Sequence, residues 1–212
     1  MSELHNIVLK ILDKGKGILA ADESTSTMTK RLDDVNVPSN PENRLLFRET
    51  LFSASGMTDY IGGVILYDET IKQETSKKIK IPELISKMKS VPGIKVDTGA
   101  KVLAGSPEEK ITEGLDGLRE RLKEYYKLGA KFTKWRGVYT ITKNFPSTLS
   151  IRSNAHALAR YSALVQECRM VPIVEPEVLM DGEHSAKECY EKTSEVIKKC
   201  FEELILHKVD LK

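Results

Sequence analysis

Short apolar runs alternate along the chain with stretches whose apolar residues recur every three to four positions. Leu4, Ile7, Val8, Ile11 and Leu12 fall on one helical stripe that Gly15 and Gly17 end. Ile18 to Ala21 then reads as a strand closing on Asp22, Glu23 and Ser24. Ser24 to Thr27 offer caps for a following helix that carries Lys30 and Arg31. Asn40-Pro41-Glu42 opens another helix, through Arg44, Phe47, Leu51 and Phe52, with proline in its first turn. Tyr60 to Tyr67 is a second strand, tipped by Asp68 and Glu69, and Ile81-Pro82-Glu83 begins the next helix.

The third strand is Gly93 to Asp97. Residues 99–112, with Gly105, Ser106 and Pro107 at their middle, read as a loop. Leu115, Leu118, Leu122 and Tyr125 mark a helix stopped by Gly129. Lys131 to Arg136 is the fourth strand, and after Pro146 and Ser147 a helix runs to about Cys168. Val171 to Glu177 (VPIVEPE) is the fifth, and Ser185 with Glu188 predicts a capping box for the last helix.

Five strands alternating with helices predict a parallel α/β sheet with the helices outside. A dinucleotide-binding sheet would place G-x-G-x-x-G after the first strand. That turn here is ADESTST, without glycine, so a barrel is favoured over an open doubly wound sheet. No repeat or linker divides the 212 residues, and a single domain over 1–212 is expected.

Composition narrows the function classes. A formal charge of +2 gives no electrostatic case for nucleic acid or membrane binding. The N-terminus has no long apolar block, so neither a signal peptide nor a span is read there. Cys168, Cys189 and Cys200 form no C-x-x-C and read as reduced thiols. The four histidines, His5, His156, His184 and His207, are scattered in sequence. No H-E-x-x-H occurs, so no catalytic metal is expected.

The candidate chemistry lies near the strand ends. Ala20 and Asp22, Lys95 and Asp97, Lys134 and Arg136, and Glu175 and Glu177 are each two apart, so each pair shares a strand face. Trp135 then points the other way, towards the helices. Charges gathered at the mouth of a barrel set one another's proton affinity. Such a site suits acid–base chemistry on an anionic substrate. Glu175 or Glu177 would move protons if one carboxyl is held neutral or shared. Lys95, Arg31, Arg44 and Arg136 would bind phosphates, aided by the hydroxyls and amides of Ser24 to Thr27 at a helix start.

The stretches GKGILAADEST, GGVILYDET, GIKVDTG, GLDGLRER, FTKWR, ARYSALVQE and VPIVEPEVLMDG together resemble class I fructose-bisphosphate aldolase. The resemblance covers nearly the whole chain in the family's order. It implies a (β/α)8 TIM barrel, of which about the first five β/α units are present. It also implies a cytoplasmic homotetramer that reversibly cleaves fructose 1,6-bisphosphate in glycolysis and gluconeogenesis. The products are dihydroxyacetone phosphate and glyceraldehyde 3-phosphate, and the reaction uses a lysine Schiff base and neither metal nor cofactor.

By the same resemblance, Asp22 orients the Schiff-base carbon and the C4 hydroxyl. Lys134 assists iminium formation and carbon–carbon cleavage. Glu175 is the general acid–base carboxylate, with Glu177 as its partner. Lys95 and Ser24 bind the 6-phosphate, Arg31 the 1-phosphate, and Arg44 and Arg136 are supporting cations.

Three features depart from the family. Ser26-Thr27 stands where Gly-Ser is common, so Thr27 keeps a hydroxyl for phosphate. The first helix starts about ten residues later than in many relatives. The chain also closes on HKVDLK, before the stretch that carries the Schiff-base lysine. The expectation is therefore the N-terminal three-fifths of an aldolase, inactive alone. The other reading is a non-catalytic binding or assembly module, which an unpaired parallel sheet edge disfavours.

Overall fold

The computed structural model describes residues 3–212. In chain order the elements are α1 (Glu3–Ile11), a 3-10 turn (Asp13–Gly15), β1 (Gly17–Ala21), α2 (Thr25–Asp33), α3 (Pro41–Phe52), α4 (Met57–Tyr60) and β2 (Ile61–Leu66). Next come α5 (Asp68–Ile71), α6 (Ile81–Lys87), β3 (Val91–Lys95), β4 (Ala100–Leu103), β5 (Ser106–Thr112) and α7 (Leu118–Leu128). The last are β6 (Phe132–Tyr139), α8 (Thr148–Glu167), β7 (Val171–Val178) and α9 (Ala186–Leu206).

One sheet has the order β1-β2-β3-β6-β7, which is chain order once β4 and β5 are set aside. β1 pairs parallel with β2, and β2 with β3. This is the α/β pattern expected from alternating strands and helices. The predicted helix starts also hold. Ser24 and Asn40 cap α2 and α3, Ser147 caps α8, and Ser185 and Glu188 form the capping box of α9.

The chain packs as two compact units. The first contains residues up to Lys95 with 123–133 and 169–171. Its strands approach their neighbours closely at two glycines. A Cβ on Gly62 would lie 1.8 Å from the Ile11 carbonyl oxygen, and one on Gly93 would lie 2.3 Å from Phe132 Cζ. Glycine at these positions admits α1 and the buried Phe132 ring against the sheet. Lys131 N donates to Pro92 O at 2.8 Å and Val171 N to Lys131 O at 3.0 Å, so the start of β6 bonds on both sides. The Tyr125 hydroxyl of α7 donates to Asp68 Oδ1 at 2.8 Å.

The second unit contains residues 96–122, 134–168 and 172–212. Trp135 is fully buried, with its ring 5.3 Å from that of Tyr161 on α8, as its outward orientation predicted. The Tyr161 hydroxyl donates to Ile173 O at 3.2 Å and so ties α8 to β7. Ala159, Leu204 and Val209 pack with Val174 between α8, α9 and β7.

Residues 99–112 are not a loop. They form the antiparallel hairpin β4–β5, with Ala100 opposite Thr112 and Val102 opposite Lys110. The Gly-Ser-Pro centre masked two short strands. Gly105 supplies a positive φ of 85° at the turn, and Pro107 sits second in β5, where a missing donor is tolerated. Glu109 anchors the hairpin: it accepts from Ser147 N and from the hydroxyls of Ser106 and Ser147. Burial works to raise its carboxyl, but these hydrogen bonds outweigh it and hold the group below its ordinary value.

Candidate active site

In the first unit, β1 ends at Ala21 and the chain leads through Asp22 and Glu23 into the cap of α2. Ser24 Oγ accepts from Thr27 N at 3.3 Å and shares hydrogen bonds with Ser26 Oγ and Thr27 Oγ1 at 2.9 and 3.0 Å. Three hydroxyls thus gather at the amino end of a nine-residue helix, where amide donors and the helix dipole favour anions. Arg31, on the last turn of α2, reaches back to Glu23 and remains half exposed. Lys95 is the last residue of β3 and is partly buried.

Arg44, expected as a supporting cation, is engaged by Glu69 and Ser39. Its side chain is 9% exposed, and Nε donates to Glu69 Oε2 at 2.9 Å while Nη1 donates to Ser39 O. That hydrogen bond holds the Glu69 carboxyl below its ordinary value. Arg44 here fixes the turn after β2.

The sequence reading passed over Arg48, one turn along α3. It is fully buried, donating to Glu23 O at 2.6 Å and Thr70 Oγ1 at 2.8 Å. Burial lowers its proton affinity, while Glu23 and Glu69 work to restore it. Arg48 clamps the backbone just after Asp22. The available signal was the four-residue spacing of Arg44, Arg48 and Phe52, which puts two cations on the buried stripe of α3.

In the second unit, β6 extends to Tyr139, so Lys134 and Arg136 lie within the strand rather than at its tip. Lys134 Nζ is 3.2 Å from Glu175 Oε2, with side-chain exposures of 15% and 33%. Arg136 Nη1 donates to Glu177 Oε2 at 2.9 Å, and Arg136 N to Asp97 Oδ2 at 3.4 Å. The two ion pairs join β6 to β7 two residues apart on each strand, as period-two alternation requires. Val174 packs on the helices, so Glu175 faces the other way.

Glu175 is raised above its ordinary value. Burial is the largest cause, and Glu177 adds to it, while Lys134 and Arg136 oppose it. A carboxyl poised this way is suited to taking and returning a proton. Arg121, in the GLDGLRER stretch, supports this region by donating to Val96 O at 2.9 Å and to Gly114 O.

These elements define the class: a parallel β/α protein whose strands present a lysine–carboxylate and an arginine–carboxylate pair. The chain belongs to the class-I fructose-bisphosphate aldolase family, whose model, described as "Fructose-bisphosphate aldolase class-I", matches residues 3–212. It is 51% identical over 201 residues to the probable fructose-bisphosphate aldolase class 1 of Xanthomonas campestris, covering 95% of this chain and 60% of that protein. It is 49% identical over 210 residues to fructose-bisphosphate aldolase C-B of Danio rerio, covering 99% and 58%. The structure matches a solved Plasmodium falciparum fructose-bisphosphate aldolase, in complex with TRAP and a small-molecule inhibitor, with a TM-score of 0.93 at 45% identity. That match covers 95% of this chain and 59% of that one, and places the five-stranded sheet as part of a TIM barrel. The chain thus spans about three-fifths of the length of these relatives. Among the described residues, no helix is long and apolar enough to cross a membrane.

Proposed function

We propose that the protein containing this chain is a lyase that reversibly cleaves fructose 1,6-bisphosphate into dihydroxyacetone phosphate and glyceraldehyde 3-phosphate. The carrying observation is the Lys134–Glu175 pair at 3.2 Å, in a chain of this family. The raised, half-buried Glu175 is the acid–base group, and Glu177, held by Arg136, is its partner. Lys134, as an ammonium beside Glu175, assists formation of a ketone imine on another lysine and the carbon–carbon cleavage. Asp22 orients the reacting carbon and the C4 hydroxyl. Lys95 and Ser24 take the 6-phosphate with help from Thr27, and Arg31 takes the 1-phosphate. Arg136 is a supporting cation through its charge on Glu177, and Arg44 supports the site through Glu69.

Residues 1–212 are read as one barrel domain in part, supported by the continuous strand order. Three free thiols fit a reducing compartment, and the cytoplasm is the proposed location. Assembly as a homotetramer is supported by Ile197, Phe201 and Ile205, exposed four residues apart on α9. Light scattering of the purified protein tests it, and a monomer at all concentrations rejects it.

Borohydride trapping with dihydroxyacetone phosphate tests the reaction. In the protein containing this chain, the expected product is one adduct per subunit on a lysine other than Lys134. An adduct on Lys134, lost in Lys134→Met, would reverse its role from helper to nucleophile. Absence of any adduct together with activity abolished by EDTA would reject imine chemistry.

A further inference from the structure

Two of the four sequence-distant histidines meet. His156 lies midway along α8, and His207 caps the carboxyl end of α9. Their rings are 4.8 Å apart, edge to face. Glu203, one helical turn before His207, stands between them: its Oε2 is 3.1 Å from His156 Nδ1 and 3.8 Å from His207 Nδ1. His207 Nδ1 is also 2.9 Å from the Glu203 carbonyl oxygen. Each of the three residues offers a ligand atom within 4.8 Å of the others.

We propose that His156, Glu203 and His207 bind one divalent transition-metal ion, zinc(II) by preference, that staples α8 to the end of α9. The 3.1 and 3.8 Å separations bracket the edge of a tetrahedron whose bonds are about 2.0–2.1 Å long, roughly 3.3 Å. Small side-chain rotations therefore bring three donors onto one ion. Two imidazoles and a carboxylate suit zinc, nickel or copper better than magnesium or calcium, which take mainly oxygen.

Both Nδ1 atoms lie beside oxygens, within reach of an ion that would sit between them. Coordination through Nδ1 needs each ring in the neutral form with its one proton on Nε2, and a ring that starts as imidazolium releases its Nδ1 proton on binding. Glu203 and His207 are mostly buried, whereas His156 is half exposed. His156 also lines an open cleft of about 540 Å3 with Asp116, Ser153 and Arg160, which gives the ion an entry path and water for its remaining position.

This site is separate from the Lys134–Glu175 pair and does not rest on the aldolase reading. The test is titration of the chelator-treated, dialysed protein with zinc chloride against a chromogenic zinc indicator. One zinc per chain is expected, with affinity falling at least about tenfold in both His156→Asn and His207→Asn. Replacing Cys168, Cys189 and Cys200 together by serine should leave it unchanged. Cobalt(II) should give a visible d–d absorption in the wild type that His156→Asn removes. Because His156 is half exposed, that variant is expected to fold, and circular dichroism checks it. No stoichiometric zinc binding by the wild type overturns the proposal, as does binding that persists in both histidine variants or vanishes only in the cysteine variant.

Discussion

Lys134 Nζ lies 3.2 Å from Glu175 Oε2, and the cation offsets part of the rise that burial imposes on the carboxyl. Burial raises Glu175, and Lys134 is the largest influence opposing it. Removing the cation in Lys134→Met should therefore move the Glu175 titration to higher pH. Carbon-13 NMR of the side-chain carboxyl measures this without needing activity, and an unmoved or downward titration would contradict the arrangement.

Glu175→Gln keeps the shape and removes the transferable proton. In the protein containing this chain, acting as proposed, the expected loss in kcat is about 10²–10⁴-fold, with KM changing much less. The kcat/KM profile of the unaltered protein should carry a limb above the ordinary glutamate value of 4.5, because Glu175 is raised, and the variant should lack it. Steady-state kinetics across pH checks both. Unchanged kcat with a weakened fold would make Glu175 purely structural.

Lys95→Ala should discriminate between substrates. If the protein containing this chain acts as proposed, with Lys95 at the 6-phosphate, the loss in kcat/KM should be greater with fructose 1,6-bisphosphate than with fructose 1-phosphate. Equal losses on the two would place Lys95 away from that phosphate.

Glu69 is held below its ordinary value by the Arg44 hydrogen bond. A depressed carboxyl gives stability that is fully present above pH 4.5 and lost as pH falls through the folded value. Glu69→Gln should thus lower unfolding stability at neutral pH by about 1–3 kcal/mol, since Arg44 keeps only a neutral partner. Urea melts should show that gap closing below about pH 4.5. A gap that does not change with pH would mean the charge is immaterial.

Two glycines test packing. Gly62→Ala sets a Cβ 1.8 Å from the Ile11 carbonyl oxygen, whereas Gly17→Ala meets nothing within 4 Å. The first should cost at least about 1–3 kcal/mol. The second should fall within about 0.5 kcal/mol of the parent. Thermal melts of equal midpoint would show that α1 does not pack as described.

The sequence by itself determined what depends on neighbours a few residues away. Ser24, Asn40 and the Ser185–Glu188 box announced their helices because a cap needs only a hydroxyl, amide or carboxyl within one turn. Period-two spacing likewise put Lys134 with Arg136, and Glu175 with Glu177, on shared faces of β6 and β7. The hairpin at 100–112 was hidden because its strands are short and each is stabilised by the other.

Only the tertiary structure decided which charges are buried and what they meet. Arg31 and Arg44 read alike as helix cations, and nothing set Arg48 apart from them. Packing leaves the first half exposed, engages the second with Glu69, and buries the third beneath Glu23 and Thr70. Desolvation and Coulomb energy depend on distance through space, and His156 and Glu203 meet across 47 residues of chain. No local pattern carries that distance, so the raised Glu175 and the paired histidines emerge only when the strands and helices pack.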